Sequence, residues 1–226
     1  MTATSFVLIP GAGGASWYWH RVVPLLEAAG HEAIAVDLPG DDECAGFATY
    51  TDRVVAAIGA RDDAVLVAQS MGGFTAPLVC ARVRVRILVF VNAMIPIPGE
   101  TPREWWESTG SMEARTEAAR LGGYDARFDA ATYFLHDLPP DVLAHADGHQ
   151  GEQSEAIFSE PCRFDTWPEI PIHVIAGRDD RFFPIGFQRR MARERLRVEV
   201  DDLPGGHLVA LSNPRALVDR LLAYLG

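Results

Sequence analysis

Residues 66–73 read Leu-Val-Ala-Gln-Ser-Met-Gly-Gly, and they place one serine between an apolar run and a pair of glycines. The apolar run, residues 64–68, predicts a buried strand, and residues 74–81 predict an apolar helix. Ser70 therefore falls on a strand-to-helix turn. A sharp turn of this kind lifts a side chain out of a sheet and directs backbone N–H groups toward a bound molecule. We interpret Ser70 as a candidate nucleophile.

The residues beside Ser70 must be small, because the strand and the helix approach each other closely at such a turn. Ala68, Gly72 and Gly73 meet this requirement, although glycine is usual at the position of Ala68. A serine between small residues is also frequent by chance, so an ordinary structural turn is an equal alternative for this motif alone. The residues downstream decide between the two.

A serine hydroxyl is a weak nucleophile at neutral pH, and it needs a base within hydrogen-bond reach and an acid that orients this base. A strand-like run at residues 172–176 is followed by two aspartates, and another at residues 198–200 is followed by His207 in a loop opened by glycines. Serine, then aspartate, then histidine is the chain order of α/β-hydrolases, and it differs from the orders of chymotrypsin-like and subtilisin-like proteases.

Six other histidines are weaker candidates for the base. Three lie in a predicted helix, a helix-end turn and a strand interior, where a packed or solvated histidine is expected: His20, His31 and His173. Three lie in the middle of the chain and could line a pocket without acting as the base: His136, His145 and His149. We therefore expect His207 to be the base.

The orienting acid is one of two adjacent residues, Asp179 and Asp180, which cannot both point the same way. Pro184 and Phe187 resemble the segment that follows the acid at a fixed offset in related sequences, and this favours Asp180. Asp179 is then interpreted as a solvated turn residue. Two further acids are interpreted as charged loop residues, Asp201 and Asp202.

Acyl transfer also requires N–H donors for the oxyanion. Met71 is one expected donor, since the residue after the nucleophile supplies a backbone N–H. Ala12 is the other, in the glycine-rich loop of residues 10–15 that follows the strand-like run 6–9. This loop superficially matches a dinucleotide fingerprint, but Gly14 is displaced from the required offset. We therefore expect no cofactor.

Further segments near both ends of the chain accompany the serine motif: Phe6-Val7-Leu8-Ile9, Trp17-x-Trp19-His20, residues 24–31, Asp37-Leu38, residues 187–191 and residues 206–214. Together they resemble the α/β-hydrolase branch that holds plant methylesterases and hydroxynitrile lyases. The resemblance implies a triad of Ser70, Asp180 and His207, with Ala12 and Met71 as the oxyanion donors.

The chain departs from the lyases of this branch at two positions. They carry a hydroxyl-bearing residue where Gly11 stands and a lysine where Leu208 stands. A cation is needed there to hold a departing cyanide, whereas the methylesterases carry an apolar residue after the histidine. Pro10 and Gln69 also replace histidines that are usual in the branch.

The alternation of apolar strand-like runs and helical patterns predicts a single α/β domain over residues 1–226. We expect the α/β-hydrolase fold, with a mostly parallel sheet of about six strands and helices on both faces. An aromatic-rich stretch breaks the alternation and predicts a small helical cap at about residues 95–161. The residues expected to contact a substrate are Gly11, Trp105, Phe134 and Leu208.

The formal net charge of −11 disfavours nucleic acids and anionic membrane surfaces as partners. Cys44, Cys80 and Cys162 lack the spacing of a metal site and cannot all pair, which favours a reducing compartment and predicts a cytoplasmic protein. No signal peptide or transmembrane helix is evident. No metal is expected, and a homodimer is left open.

These observations predict a serine hydrolase that cleaves a small carboxylic ester, such as a methyl ester or a lactone, through an acyl-enzyme. Two alternatives stay open. One is a lyase or another non-hydrolytic enzyme that uses the same triad. The other is a protein that keeps the fold and only binds a small ligand.

Overall fold

The computed structural model describes residues 3–146, 149 and 151–226. In these residues six strands form one sheet in the order β2-β1-β3-β4-β5-β6, and every neighbouring pair is parallel. The strands are β1 (Ser5–Ile9), β2 (Glu32–Ala35), β3 (Val65–Gln69), β4 (Ile87–Val91), β5 (Ile172–Gly177) and β6 (Val200–Leu203). The prediction of a parallel sheet of about six strands is confirmed.

Helices cover both faces of the sheet. They are α1 (Val23–Ala28), α2 (Phe47–Ile58), α3 (Gly72–Cys80), α4 (Pro102–Ser108), α5 (Ser111–Gly122), α6 (Ala130–Tyr133), α7 (Pro140–Ala146), α8 (Ile185–Leu196), α9 (Val209–Ser212) and α10 (Pro214–Ala223). Two short 3-10 helices, Ser16–Trp19 and Ala156–Ser159, complete the regular structure. None of the helices in the described part of the chain has the length and apolar character needed to cross a membrane.

The central strands β1, β3 and β4 are apolar except for Ser5 and Gln69 at strand ends, because both of their faces are buried, as is usual in parallel sheets. Alternate residues point to opposite faces. In β3, Leu66 and Ala68 join the core with α2, α3 and α8, whereas Val65 and Val67 join the core with α1 and α10. The two cores fix the sheet between helical layers, and the carboxyl ends of the strands lie along one edge.

The last strand differs from the sequence prediction. The apolar pattern predicts it at residues 198–200, but β6 begins at Val200 and contains Asp201 and Asp202, so the prediction that these acids lie in a loop is wrong. An edge strand tolerates charge because one side of it is open. Arg178 and Arg189 pair with Asp202 at 2.8 and 3.0 Å, which satisfies its carboxylate within the strand.

A helical insertion separates β4 from β5. It contains α4 to α7 and the 3-10 helix Ala156–Ser159 and occupies the region in which the sequence predicts a cap, about residues 95–161. A capping box begins α4, in which the Thr101 side chain accepts from the Glu104 backbone and the Glu104 side chain accepts from the Thr101 backbone. The insertion starts close to the end of β4, so it stands over the edge of the sheet where Ser70 lies.

Candidate active site

Ser70 occupies the sharp turn between β3 and α3. Its φ of 49° is in the left-handed region, which is strained for a residue other than glycine. The Ser70 carbonyl oxygen accepts from the backbone N–H of Gly73 at 3.1 Å and of Met94 at 3.0 Å. A Cβ atom at Gly72 would collide with the Pro10 carbonyl oxygen, and one at Gly73 would collide with that of Met94. The turn therefore requires the two glycines that the sequence supplies.

The three residues predicted to cooperate meet at this turn. The Nε2 atom of His207 lies 3.1 Å from Ser70 Oγ, and its Nδ1 atom lies 2.9 Å from Asp180 Oδ2. His207 and Asp180 are only 2% and 4% exposed, whereas Ser70 is partly open. Because a carboxylate only accepts hydrogen bonds, Nδ1 carries the imidazole proton and Nε2 presents its lone pair to the serine hydroxyl.

The Asp180 carboxylate is held in place by donors from the following turn. Its Oδ1 atom accepts from the backbone N–H of Phe182 and Phe183 at 2.8 and 2.9 Å, and its Oδ2 atom accepts from Gln188 Nε2 at 3.2 Å. The neighbouring Asp179 points elsewhere and accepts from the Gly205 backbone at 3.1 Å. The geometry thus places Asp180, and not Asp179, beside the histidine.

Asn92 connects the loop of His207 to the ends of two strands, a role that its sequence motif does not predict. It follows β4 with a φ of 46° and is fully buried. Its Nδ2 atom donates to the carbonyl oxygens of Gly206 and His207 at 3.0 and 2.9 Å, and its Oδ1 atom accepts from the Gly177 backbone at 2.6 Å. The histidine loop is therefore fixed to the ends of β4 and β5. An asparagine directly after an apolar strand is the sequence feature that could have identified this position, since asparagine adopts left-handed backbone more readily than most residues.

The glycine-rich loop after β1 faces the same turn. Gly14 N–H closes a turn onto the Gly11 carbonyl at 3.1 Å, and Gly13 N–H donates to Gln153 Oε1 at 3.0 Å. In contrast, the N–H groups of Ala12 and Met71 have no acceptor within the part of the chain that the structure describes. They are thus available to a bound molecule.

The other histidines have different surroundings. His173 stacks on Tyr224 with 3.8 Å between ring centres, and burial lowers the pKa of His173. The Nδ1 atom of His31 accepts from the Thr4 backbone at 3.2 Å. His149 stacks on Trp17 at 4.9 Å. Among the described histidines, His207 alone is within hydrogen-bond distance of Ser70.

A cavity of about 280 Å³ opens beside the serine turn. Three of the predicted substrate contacts line it, namely Gly11, Phe134 and Leu208, together with Trp17, Tyr18, Gln69, Leu135, Leu211 and neighbouring backbone. The described lining includes no aspartate, glutamate, lysine or arginine. Burial raises the pKa of the Tyr18 hydroxyl, so this group stays neutral. The described lining includes Gln69 and Leu208, which adjoin the serine and the histidine in the chain, but none of the three triad residues. A larger surface depression between α1 and α10 includes neither the triad residues nor these neighbours.

Trp105 does not line this cavity, and the prediction that it contacts a substrate is corrected. It is fully buried, and its indole N–H donates to the Ile95 carbonyl at 3.1 Å. Its ring packs edge-on against Phe183 and Phe187 at 5.3 and 5.6 Å. Because the indole nitrogen finds a carbonyl inside the protein, tryptophan is accommodated as a core residue here.

Aromatic rings enclose His207 on several sides. Phe134 stacks on it with 5.0 Å between ring centres, and Phe182 and Phe183 approach it edge-on at 5.0 and 5.2 Å. These rings exclude water from the histidine and from its bond to Asp180, which strengthens electrostatic interactions there. In the described residues, no group of three or more side chains is arranged to hold a metal ion.

The comparison with known proteins agrees with this geometry. The alpha/beta hydrolase family model matches residues 6–220. Polyneuridine aldehyde esterase of Rauvolfia serpentina is 33% identical over 96% of this chain and 94% of that protein. Two proteins of Arabidopsis thaliana, alpha-hydroxynitrile lyase and methylesterase 2, are each 24% identical over 96% of this chain and over 95% and 94% of their own lengths.

The crystal structure of polyneuridine aldehyde esterase has the same fold, with a TM-score of 0.81 over 100% of both chains and 22% identity in the structural alignment. The family model spans most of the chain, and the relatives include a methylesterase and a hydroxynitrile lyase. The predicted fold and the resemblance to this branch are confirmed. The chain belongs to the alpha/beta hydrolase family.

Proposed function

We propose that this carboxylic ester hydrolase works through Ser70, His207 and Asp180 and forms an acyl-enzyme on Ser70. The observation that carries the proposal is the unbroken chain of contacts from Ser70 Oγ to His207 Nε2 at 3.1 Å and from His207 Nδ1 to Asp180 at 2.9 Å. Ser70 lies on a turn whose strain keeps the serine raised, and its neighbour in the chain, Gln69, lines the adjoining cavity.

In the first half of the reaction, Ser70 Oγ bonds to the ester carbonyl carbon while His207 Nε2 takes the serine proton. The N–H groups of Ala12 and Met71 receive the negative charge that develops on the carbonyl oxygen. The bond to the alkoxy group then breaks, and His207 returns the proton to the departing oxygen. Water repeats these steps on the acyl-enzyme and releases the acid.

The cavity favours a small neutral ester. Its volume of about 280 Å³ is slightly below the roughly 300–1,000 Å³ that is typical of small-molecule sites. The rings of Trp17 and Phe134 and the side chains of Leu208 and Leu211 make most of its wall apolar. A charged substrate would lose hydration without gaining an oppositely charged side chain from the described lining. A methyl ester or a lactone meets these conditions.

Cyanohydrin cleavage is disfavoured by the same lining. The lyase mechanism needs a cation to hold the departing cyanide, but Leu208 follows the histidine, and the described part of the wall holds no lysine or arginine. Gly11 also contributes no hydroxyl group there. Hydrolysis therefore fits the side chains better than lyase chemistry.

Labelling with a fluorophosphonate tests the proposal, with p-nitrophenyl acetate hydrolysis followed in parallel. We expect one covalent adduct by intact mass for the wild type. Ser70→Ala should abolish the adduct and reduce kcat by about a million-fold, the usual cost of removing a triad serine. Ser159→Ala, which removes an exposed serine of the insertion, is the matched control and should behave as the wild type.

Two results would contradict the proposal. One is an Ser70→Ala protein that keeps its esterase activity, because a different group would then have to attack the carbonyl. The other is a wild type that neither labels nor turns over but binds a small ligand tightly, which would identify a binding protein.

A further inference from the structure

Gln69 has an unusual position for an amide side chain. It is the last residue of β3, it directly precedes Ser70, and its side chain lines the cavity while being only 3% exposed. A primary amide offers two donor hydrogens and two acceptor lone pairs. Within the described residues, the Gln69 side chain makes one hydrogen bond, between its Nε2 atom and His207 Nε2 at 3.4 Å.

Gln153 shows what a satisfied amide looks like in this protein. Its Oε1 atom accepts from Gly13 N–H, and its Nε2 atom donates to the Gly40 carbonyl and to the Tyr50 hydroxyl. Buried polar groups are normally hydrogen-bonded, and leaving one unsatisfied is costly. The free capacity of Gln69 at the cavity wall therefore indicates a group that bonds to the substrate.

The orientation of the amide follows from the histidine. Asp180 holds the proton on His207 Nδ1, so Nε2 is an acceptor and the NH₂ group of Gln69 must face it. The Gln69 oxygen then lies on the side of Gly11, where a Cβ atom would collide with it. Glycine at position 11 is thus the residue that leaves room for glutamine at position 69.

We propose that Gln69 Nε2 donates a hydrogen bond to the leaving-group oxygen of the ester. This inference rests on the proposed function. The departing oxygen must lie within hydrogen-bond distance of His207 Nε2 in order to take its proton. Gln69 Nε2 is 3.4 Å from that same nitrogen, so one oxygen can lie about 3 Å from both nitrogens.

The chemistry of acylation makes the contribution of this hydrogen bond depend on the leaving group of the ester. The bond between Ser70 Oγ and the acyl carbon forms, the bond to the alkoxy oxygen breaks, and the departing oxygen gains a proton from His207 to leave as an alcohol. A poor leaving group such as methanol carries much negative charge on this oxygen. The p-nitrophenolate ion spreads its charge over the ring and needs little help. The hydrogen bond from Gln69 therefore matters more for alkyl esters than for aryl esters.

Leaving-group dependence tests the role of Gln69. In Gln69→Met, which keeps the approximate volume and removes the donor, kcat/KM for methyl acetate should fall about 10- to 100-fold, as expected for loss of a hydrogen bond to a developing charge. For p-nitrophenyl acetate the fall should stay below about threefold. Gln69→Leu, which also removes the donor and introduces no charge, should show the same selectivity if the methionine variant fails to fold.

Tyr18→Phe is the matched control, because it removes from the same cavity a hydroxyl whose hydrogen-bond partner is the Ala210 backbone and not His207. It should leave the ratio of kcat/KM for the two esters unchanged. Equal losses for both esters in the Gln69 variants, or no loss, would overturn the inference while leaving the proposed function intact. A wild type that cleaves neither ester would overturn the proposed function and this inference with it.

Discussion

Two residues with left-handed backbone define the site at the smallest scale. Ser70 and Asn92 directly follow neighbouring strands, with φ values of 49° and 46°. Such strain costs on the order of 1–3 kcal/mol per residue and persists only where the surroundings hold it. Here the Ser70 carbonyl is bonded to Met94 and Gly73, and the Asn92 amide is bonded to the loop of His207. The strain raises the serine and anchors the histidine above the same sheet edge.

The hydrogen bonds that the Asp180 carboxylate accepts predict the effect of replacing this residue with asparagine. Phe182 and Phe183 N–H groups hold one oxygen, so an amide at this position must turn its NH₂ group toward His207. Two donors would then face each other, and the imidazole proton would move to Nε2. We expect Asp180→Asn to lower kcat by about 10⁴-fold through this wrong tautomer. Esterase kinetics and the ¹⁵N spectrum of the imidazole measure the two effects.

Asp179→Asn is the control for this substitution, because Asp179 bonds to the Gly205 backbone instead of the histidine. It should change kcat by no more than about threefold. A similar loss in both variants would mean that the two acids act through the fold of the turn, and not through the tautomer of His207.

At the scale of elements, the end of the insertion is bonded to the glycine-rich loop. Gln153 Oε1 accepts from Gly13 N–H at 3.0 Å, and Gln153 Nε2 donates to the Gly40 carbonyl at 3.2 Å. Ser154 N–H adds a bond to the same carbonyl at 2.7 Å. The backbone beside Ala12 is thus positioned by residues that follow it by more than a hundred positions.

This link predicts a loss of catalysis without a change at the triad. Gln153→Ala should lower kcat/KM about tenfold, because one hydrogen bond that positions the loop is worth about 1.4 kcal/mol. Gln153→Glu keeps the acceptor for Gly13 N–H and should lose less. Glu152→Ala, at the exposed neighbour, is the control. Equal rates for the alanine and glutamate variants would show that the bond to Gly13 has no part in catalysis.

The elements differ in how far the sequence predicts them. β1, β3 and β5 coincide with apolar runs of the sequence. The serine turn and the chain order of the three residues identify Ser70, Asp180 and His207 as neighbours. β6 does not follow the apolar pattern of the other strands. It is an edge strand that contains Asp201 and Asp202, and Asp202 is paired with Arg178 and Arg189. The contacts of Asn92 and Gln153 join distant parts of the chain, and local composition carries no information about such pairs.

At the scale of the molecule, the insertion and the sheet share one core. Trp105 of α4 packs against Phe183 and Phe187, which belong to the segment after β5. Glu100, before α4, pairs with Arg195 of α8, and their side chains are 5% and 11% exposed. An insertion that rested on the surface as a separate unit would not bury its largest side chain among residues of α8. From this packing we propose that the insertion and the sheet unfold as one domain.

Replacing Trp105 with alanine tests whether the insertion unfolds separately. The substitution should lower the free energy of unfolding by about 3–5 kcal/mol, because it leaves a large cavity in the shared core. Calorimetry should show one transition shifted as a whole, whereas Leu121→Ala, at a side chain that is 71% exposed, should change little. Two transitions, with only the lower one moved, would contradict a single cooperative domain. One shifted transition would mean that the cavity wall formed by Phe134 is as stable as the sheet, since both depend on the core around Trp105.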